Sequence, residues 1–256
     1  MRLTILGSGT SMGVPVIGCS CAVCTSSDPH NQRLRTSALL QHENTTILID
    51  AGPDLRLQML RANVQQLDAV VLTHAHADHI GGIDDLRPYT MRHKRSLPLY
   101  GNAVTIDRVR HTFDYAFDPA PSLSTRPQLE TQVLDGRFRV GEIDVLPFEV
   151  LHGKQPIVGY RFGPLAYITD ASSLPPATME QLCELQVLVI NALRWKPHPL
   201  HLTVEQALAI VAELQPKQTY FVHITHDLDH TMVNAELPPH AQLAYDGQVI
   251  EVDMHY

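Results

Sequence analysis

The feature that most limits what this chain can be is the run Thr73-His74-Ala75-His76-Ala77-Asp78-His79, which follows the apolar stretch Asp68-Ala69-Val70-Val71-Leu72 and precedes Ile80-Gly81-Gly82. Four side chains able to bind a metal occur in six residues, and small Ala75 and Ala77 leave space between them. A buried strand that ends in such a loop can send alternate side chains toward one cavity. Imidazole suits zinc, manganese or iron, and the carboxylate adds a harder ligand that offsets charge. A lone histidine would be read as part of an ordinary polar turn. An HxHxDH run at a strand end points instead to a metal centre.

The cysteines give a second signal. Cys19, Cys21 and Cys24 fall within six residues, while Cys183 stands apart. Cysteines two or three apart belong to one local loop and are poorly placed for disulfides, so in a reducing compartment the trio reads as a thiolate metal site. Cys183 lies at helical spacing from Met179 and beside Leu182, which predicts a buried small hydrophobe.

Around these motifs, short β-branched runs of strand length recur: Arg2 to Leu6, Thr45 to Ile49, Asp68 to Leu72, Ile143 to Val150, Ile157 to Phe162, Leu165 to Ile168, Val187 to Ile190 and Thr219 to Val222. Helical patterns cover Asp54 to Ala62, Thr105 to Phe117, Ala177 to Leu185 and Val204 to Leu214, the last opened by the capping-box pair Thr203 and Gln206. The turn Asp246-Gly247 predicts a closing hairpin of Gln242 to Tyr245 with Gln248 to Val252. Strands in pairs, interrupted by helices in both halves, indicate an α/β protein with mixed sheets covered by helices. With 256 residues, 44% hydrophobic and 18% charged, the chain is expected to be one globular domain spanning 1–256. No apolar run approaches the ~20 residues that span a bilayer, and the N-terminal strand leads into Gly7-Ser8-Gly9 rather than a signal-peptide core; a soluble cytoplasmic protein without a membrane partner is expected. A net charge of −8 argues against broad nucleic-acid binding but leaves room for a local positive site.

HAHADH resembles the metal signature of the metallo-β-lactamase-fold hydrolases. His152 after the strand at 145–151, Asp170 after 165–169 and His223 after 219–222 match the strand ends at which that family places its remaining ligands. The resemblance implies an αββα sandwich in which His74, His76 and His152 hold one metal, Asp78, His79 and His223 hold another, and Asp170 bridges them. It also makes Asp50, in Ile49-Asp50-Ala51-Gly52, an acidic residue that orients ligand histidines or loop backbone.

Within that superfamily, Leu6-Gly7-Ser8-Gly9-Thr10-Ser11-Met12-Gly13-Val14-Pro15, the CxCxxC of Cys19, Cys21 and Cys24, and Val222-His223-Ile224-Thr225-His226 resemble the PhnP-type phosphodiesterases. The resemblance implies a third, structural zinc on the three thiolates and His226, closed to water and stabilising rather than reactive. Gly7, Gly9 and Gly13 lack nucleotide-fingerprint spacing and are read as tight-turn residues. His201 matches the position from which these enzymes present an extra histidine, either protonating the leaving alkoxide or binding a phosphoryl oxygen. Arg194 and His198 are weaker candidates for substrate contact, the segments Pro88–Pro98 and Phe113–Pro127 are expected as substrate-side loops, and Arg92-His93-Lys94-Arg95 is expected to be a solvated face.

The implied activity is hydrolysis of a small, cyclic phosphodiester, with two zinc or manganese ions making a bridging hydroxide near neutral pH and with Asp78 and His201 closest to the chemistry. Two cations, two carboxylates and a hydroxide leave roughly one positive charge, which suits a phosphodiester anion. A tRNase Z-like RNA endonuclease is the alternative of the same chemistry, weakened because no long basic insertion appears. A nonenzymatic metal-binding protein is the alternative of another class, disfavoured by the complete ligand set. The resemblance leaves a homodimer open.

Overall fold

The computed structural model describes residues 1–118 and 124–254. The first half of the chain builds one sheet from β1 (Arg2–Gly7), β2 (Ser37–His42), β3 (Thr45–Ile49), β4 (Ala69–Val71), β5 (Leu97–Gly101) and β6 (Leu129–Val133). The second half builds another from β7 (Phe138–Val140), β8 (Ile143–His152), β9 (Gln155–Phe162), β10 (Leu165–Tyr167), β11 (Val187–Asn191), β12 (Gln218–Val222) and β13 (Ala241–Leu243). The last strand, β14 (Val249–Glu251), returns to the first sheet beside β1. The strand orders are β14-β1-β2-β3-β4-β5-β6 and β13-β12-β11-β10-β9-β8-β7. In each, one run of strands is parallel (β3 to β6; β10 to β13) and the rest antiparallel.

Alternation within these apolar strands produces the layers. Leu3, Ile5, Ile47 and Ile49 point between the sheets to meet Tyr160, Phe162, Val187 and Val189. Their neighbours Leu6 and Leu48 face outward onto α1 (Leu55–Arg61) and α4 (Ala103–Thr112), which bury Leu55, Met59 and Val109 against them. Leu188 and Ile190 face α7 (Val204–Leu214) through Val204, Ala207 and Val211. The result is the expected αββα sandwich of two mixed sheets, with the parallel strands carrying their C-terminal ends to one edge. Short helices α2 (Ala77–Ile80), α3 (Arg87–His93), α5 (Asp114–Phe117), α6 (Pro176–Gln181) and α8 (His230–Glu236) complete the outer layers. No helix among the described residues is long and apolar enough to cross a membrane.

Four expectations need correction. The segments around Asp246-Gly247 do not form a hairpin: β13 pairs with β12 in one sheet and β14 with β1 in the other, because Asp246 is buried and spent on the Ser8 and Leu34 amides at 2.9 and 2.8 Å. Cys183 is exposed, since α6 stops at Gln181 and the helical spacing from Met179 lapses; Leu182 and Leu185 take the buried places. Pro88–Pro98 is mostly not a loop, being the body of α3 and the start of β5. The pattern Thr105 to Phe117 is two helices, α4 capped by Asn102 and α5. Of the Phe113–Pro127 segment, residues 119–123 lie outside the described residues.

Candidate metal centre

The edge where the strand ends meet carries the residues that the sequence singled out. His74, His76, Asp78 and His79 follow β4, His152 ends β8, and Asp170 and His223 follow β10 and β12. Nitrogens of His74, His76 and His152 lie within 4.8 Å of one another, as do donor atoms of Asp78, His79, Asp170 and His223. Asp170 stands between the two groups, 3.3 Å from His79 Nε2, 3.1 Å from His223 Nδ1 and 3.9 Å from His74 Nε2. His74, His79, His152, Asp170 and His223 are buried, whereas His76 is exposed and Asp78 half-buried, so the group has a closed floor and an open mouth.

Each buried imidazole has one nitrogen tied outward and the other turned inward. His79 Nδ1 lies 2.7 Å from Asp50, whose carboxylate also accepts from the Thr73 amide and hydroxyl at 2.8 Å each. With its proton committed to Asp50, the Thr73 hydroxyl faces His74 Nδ1 at 3.1 Å as an acceptor. His152 Nδ1 donates to the carbonyls of Asp170 and Leu200 at 2.7 and 2.9 Å. Thr10 Oγ1 sits 3.2 Å from His223 Nε2. The inward nitrogens therefore converge on one another, and His74 Nε2 and His76 Nδ1 approach to 3.0 Å. His79 Nε2 is buried without a hydrogen bond, although Asp78 and Asp170 oxygens are 3.1 and 3.3 Å away off its axis. Converging donors with an unsatisfied buried nitrogen fit divalent cations.

A second cluster lies nearby. Sγ of Cys19, Cys21 and Cys24 are 3.3, 3.3 and 3.4 Å from His226 Nδ1. The Cys24 amide points at Cys21 Sγ and the Val16 amide at Cys24 Sγ, at 3.4 and 3.3 Å. The Cys24 amide pulls the Cys21 thiol down to about 6, while burial pushes Cys24 up to about 11. Sulfurs this close resist ionising together, and a zinc ion would remove that conflict.

A family model described as a beta-lactamase superfamily domain matches residues 45–224. The crystal structure of a new diphosphatase from the PhnP family is 45% identical in sequence and superposes with a TM-score of 0.92 over 98% of both chains. The chain belongs to the PhnP family of metallo-β-lactamase-fold hydrolases. Zinc-bound PqqB of Methylobacterium extorquens shares the fold at 19% identity and a TM-score of 0.78, over 98% of this chain and 100% of that one. An octanoyltransferase of Porphyromonas gingivalis is 40% identical over 258 residues, which is 99% of this chain and 52% of that protein. The PhnP-family chain thus spans about half the length of the curated relatives it matches first.

In this PhnP-family chain the charges of the centre are balanced locally. Burial opposes charge on His79, yet Asp170, Asp50 and Asp78 hold its pKa well above the usual histidine value. Burial, reinforced by His79, drives His74 well below it. A cation and the His79 proton compete for the same carboxylates. His201 joins His152 and Asp170 in a third group of donors, with its buried Nδ1 unpartnered and 3.8 Å from Asp170. The His198 ring lies 5.0 Å from that of His201, tilted by 34°, whereas Arg194 turns to Asp227 at 3.9 Å and to the Lys196 carbonyl. Arg92 to Arg95 are exposed as expected.

Two supports went unread in the sequence. Thr10 lies inside the Leu6–Pro15 motif, whose family resemblance and turn glycines give that hydroxyl no role of its own; at Gly9 a Cβ would meet the Arg33 carbonyl at 2.9 Å, and next to that close approach Thr10 reaches His223. Fully buried Asn191 grips both backbone polar groups of Ala171 at 2.7 and 3.0 Å and so fixes the loop behind Asp170. An asparagine closing an apolar strand was the available signal.

Proposed function

We propose that the protein is a metal-dependent phosphodiesterase working through a dinuclear centre. His74, His76 and His152 would hold one divalent cation, Asp78, His79 and His223 the other, and Asp170 both; the thiolates with His226 would hold a structural zinc. When bound, the cations supply Lewis acidity and an activated water nucleophile near neutral pH. The observation that carries the reading is Asp170, which lies within 3.9 Å of donor nitrogens on both sides.

The chain's own residues do the rest. Asp50, Thr73, Thr10 and the Asp170 and Leu200 carbonyls fix which nitrogen each histidine presents, so little reorganisation is needed as charge grows on a phosphoryl oxygen. His201 stands at the mouth, with burial lowering its pKa to about 3; it is a neutral ring that can donate one N–H to the substrate phosphate. Similarity to a diphosphatase of the same family supports phosphorus–oxygen bond hydrolysis. A small cyclic phosphodiester remains the substrate implied by the family, and the test is a panel of bis-p-nitrophenyl phosphate, a ribose cyclic phosphate and a precursor tRNA with zinc- and manganese-loaded protein. Turnover of the small diesters is expected. Cleavage of precursor tRNA alone would favour the RNA endonuclease, and none of the three being cut would sink the proposal.

A further inference from the structure

Two short segments, far apart in sequence, each carry residues of both donor groups. Val222 to His226 supplies His223 to the dinuclear centre and His226 to the thiolates. The loop after β1 supplies Thr10, against His223, and Cys19, Cys21 and Cys24, against His226. A parallel bridge between Gly9 and Ile224 joins the segments: the Thr10 amide donates to the Ile224 carbonyl at 3.1 Å, and the Ile224 amide to the Ser8 carbonyl at 3.0 Å. From Thr10 the hydrogen bonds run on toward the thiolates. The Gly13 amide donates to the Thr10 carbonyl at 2.8 Å, Val14 and Arg33 exchange amide bonds at 2.8 and 2.7 Å, and the Val16 amide points at Cys24 Sγ at 3.3 Å.

The His223 ring stands at the other end of this path. Its Nδ1 lies 3.1 Å from Asp170, on the side of the dinuclear centre, and its Nε2 lies 3.2 Å from Thr10 Oγ1. Thr36 Oγ1 is 3.4 Å from Nδ1 but gives its proton to the Gly9 carbonyl at 2.6 Å, so the Nδ1 lone pair is left for a cation. The proton of the neutral ring then sits on Nε2 and is donated to Thr10. A cation on Nδ1 strengthens that bond, and a Thr10 held in place makes Nδ1 the better ligand. Zinc on the thiolates fixes the loop that carries Thr10, so the loop need not be ordered again when the cation binds. Among the described residues, hydrogen bonds from the loop reach His223 but none of His74, His76 and His152.

We infer that the N-terminal loop couples the two metal sites, with Thr10 as a positioning residue: zinc on the thiolates and His226 raises the affinity of Asp78, His79 and His223 for their cation, and that cation tightens the hold on zinc. Linkage makes the two effects equal. The coupling rests on the dinuclear reading for where that cation sits, and not on which bond is hydrolysed. The cation of His74, His76 and His152 lies off the path and is left nearly unchanged.

Manganese is the probe, because hard Mn²⁺ avoids thiolates. Protein is stripped with a mild chelator so that zinc stays on the thiolates, and free Mn²⁺ is followed by electron paramagnetic resonance during titration. Wild type should bind about two Mn²⁺. Thr10→Val should weaken one of them by about tenfold or more and the other by less than about twofold, whereas Thr10→Ser, which keeps the hydroxyl, should restore the wild-type value. Cys21→Ser should weaken the same ion by about tenfold. The double variant should be no weaker than Thr10→Val alone, since both changes cut one path. Circular dichroism checks that each variant folds. The reciprocal arm uses unmutated protein: zinc affinity, read by competition with a chromogenic chelator, should be about tenfold tighter with Mn²⁺ bound, and the gain should vanish in Thr10→Val. Additive losses in the double variant, equal weakening of both Mn²⁺ ions, or a zinc affinity indifferent to Mn²⁺ would overturn the coupling. A single Mn²⁺ in wild type, with its affinity still tied to the thiolate zinc, would strike the dinuclear reading and leave the coupling standing.

Discussion

Three of the residues that matter most here hold a left-handed backbone that glycine would occupy more easily: Asp50 at φ 61°, Asp170 at φ 57° and His223 at φ 56°. Each sits at a strand end, where the turn aims the side chain across the edge of the sandwich instead of along it. Such conformations are tolerated when the surroundings fix them, and here hydrogen bonds do so. Asp170→Ala removes the carboxylate shared by both histidine groups; hydrolysis should fall by at least about a hundredfold and the catalytic metals should be lost, with the thiolate zinc retained. Activity and metal content measured on the same sample decide this, and a variant that kept both metals would refute the shared role. For His201→Ala the neutral ring predicts similar losses, on the order of tenfold, for an activated aryl diester and an alkyl diester. A loss 10²-fold or more larger on the alkyl substrate would make His201 the general acid instead. The histidines were legible in the sequence because a metal site repeats one residue type at tight spacing. Thr10 and Asn191 were not, because one hydroxyl or amide gains its meaning only from what folds against it.

At the level of elements, legibility followed burial. Apolar strands such as β3 and β11 and the capped helix α7 were readable, and the Thr203 and Gln206 side chains do close the capping box at 3.1 and 2.9 Å. The edge strand β6 (Leu-Glu-Thr-Gln-Val) and helix α8, which buries Val233 among polar neighbours, carry too little periodicity to announce themselves. The N-terminal loop depends on long-range contacts: Thr10 donates its amide to Ile224 and Ile224 its amide to Ser8, at 3.1 and 3.0 Å, between the thiolates and His223. Cys21→Ser should release the thiolate metal and lower Tm by about 5–10 °C, the shift expected for about 2–3 kcal/mol in a chain of this size. Activity per folded molecule should fall much less than in Asp170→Ala. A variant as stable as wild type and fully metallated would exclude the structural zinc.

Over the whole molecule, the two sheets repeat one plan, and the loop between β1 and β2 meets the loop between β12 and α8 around Arg33. Its fully buried guanidinium donates to the Thr225 and Leu228 carbonyls and to Asn31 at 2.8, 2.7 and 2.9 Å. Beside it, His30 and His230 stack at 4.6 Å, with Asp28, Asp229 and Tyr245 around them. Burial, with His30 and Arg33, lowers His230 to about 4. Because the folded pKa lies below the unfolded one of about 6.5, the unfolded chain takes up the proton first, and stability is lost as pH falls from about 6.5 to about 4. Replacing His230 by Gln should flatten the fall of Tm across that window. An unchanged slope would show that His230 stays solvated.

The most direct test of the account is the metal content of protein purified without exposure to chelator. Two donor groups sharing Asp170 and a separate thiolate group predict about three divalent ions per chain, of which about two leave with a mild chelator together with activity and one, zinc, stays with the fold. Fewer than about one ion per chain, or activity that persists after complete removal of metal, would contradict it.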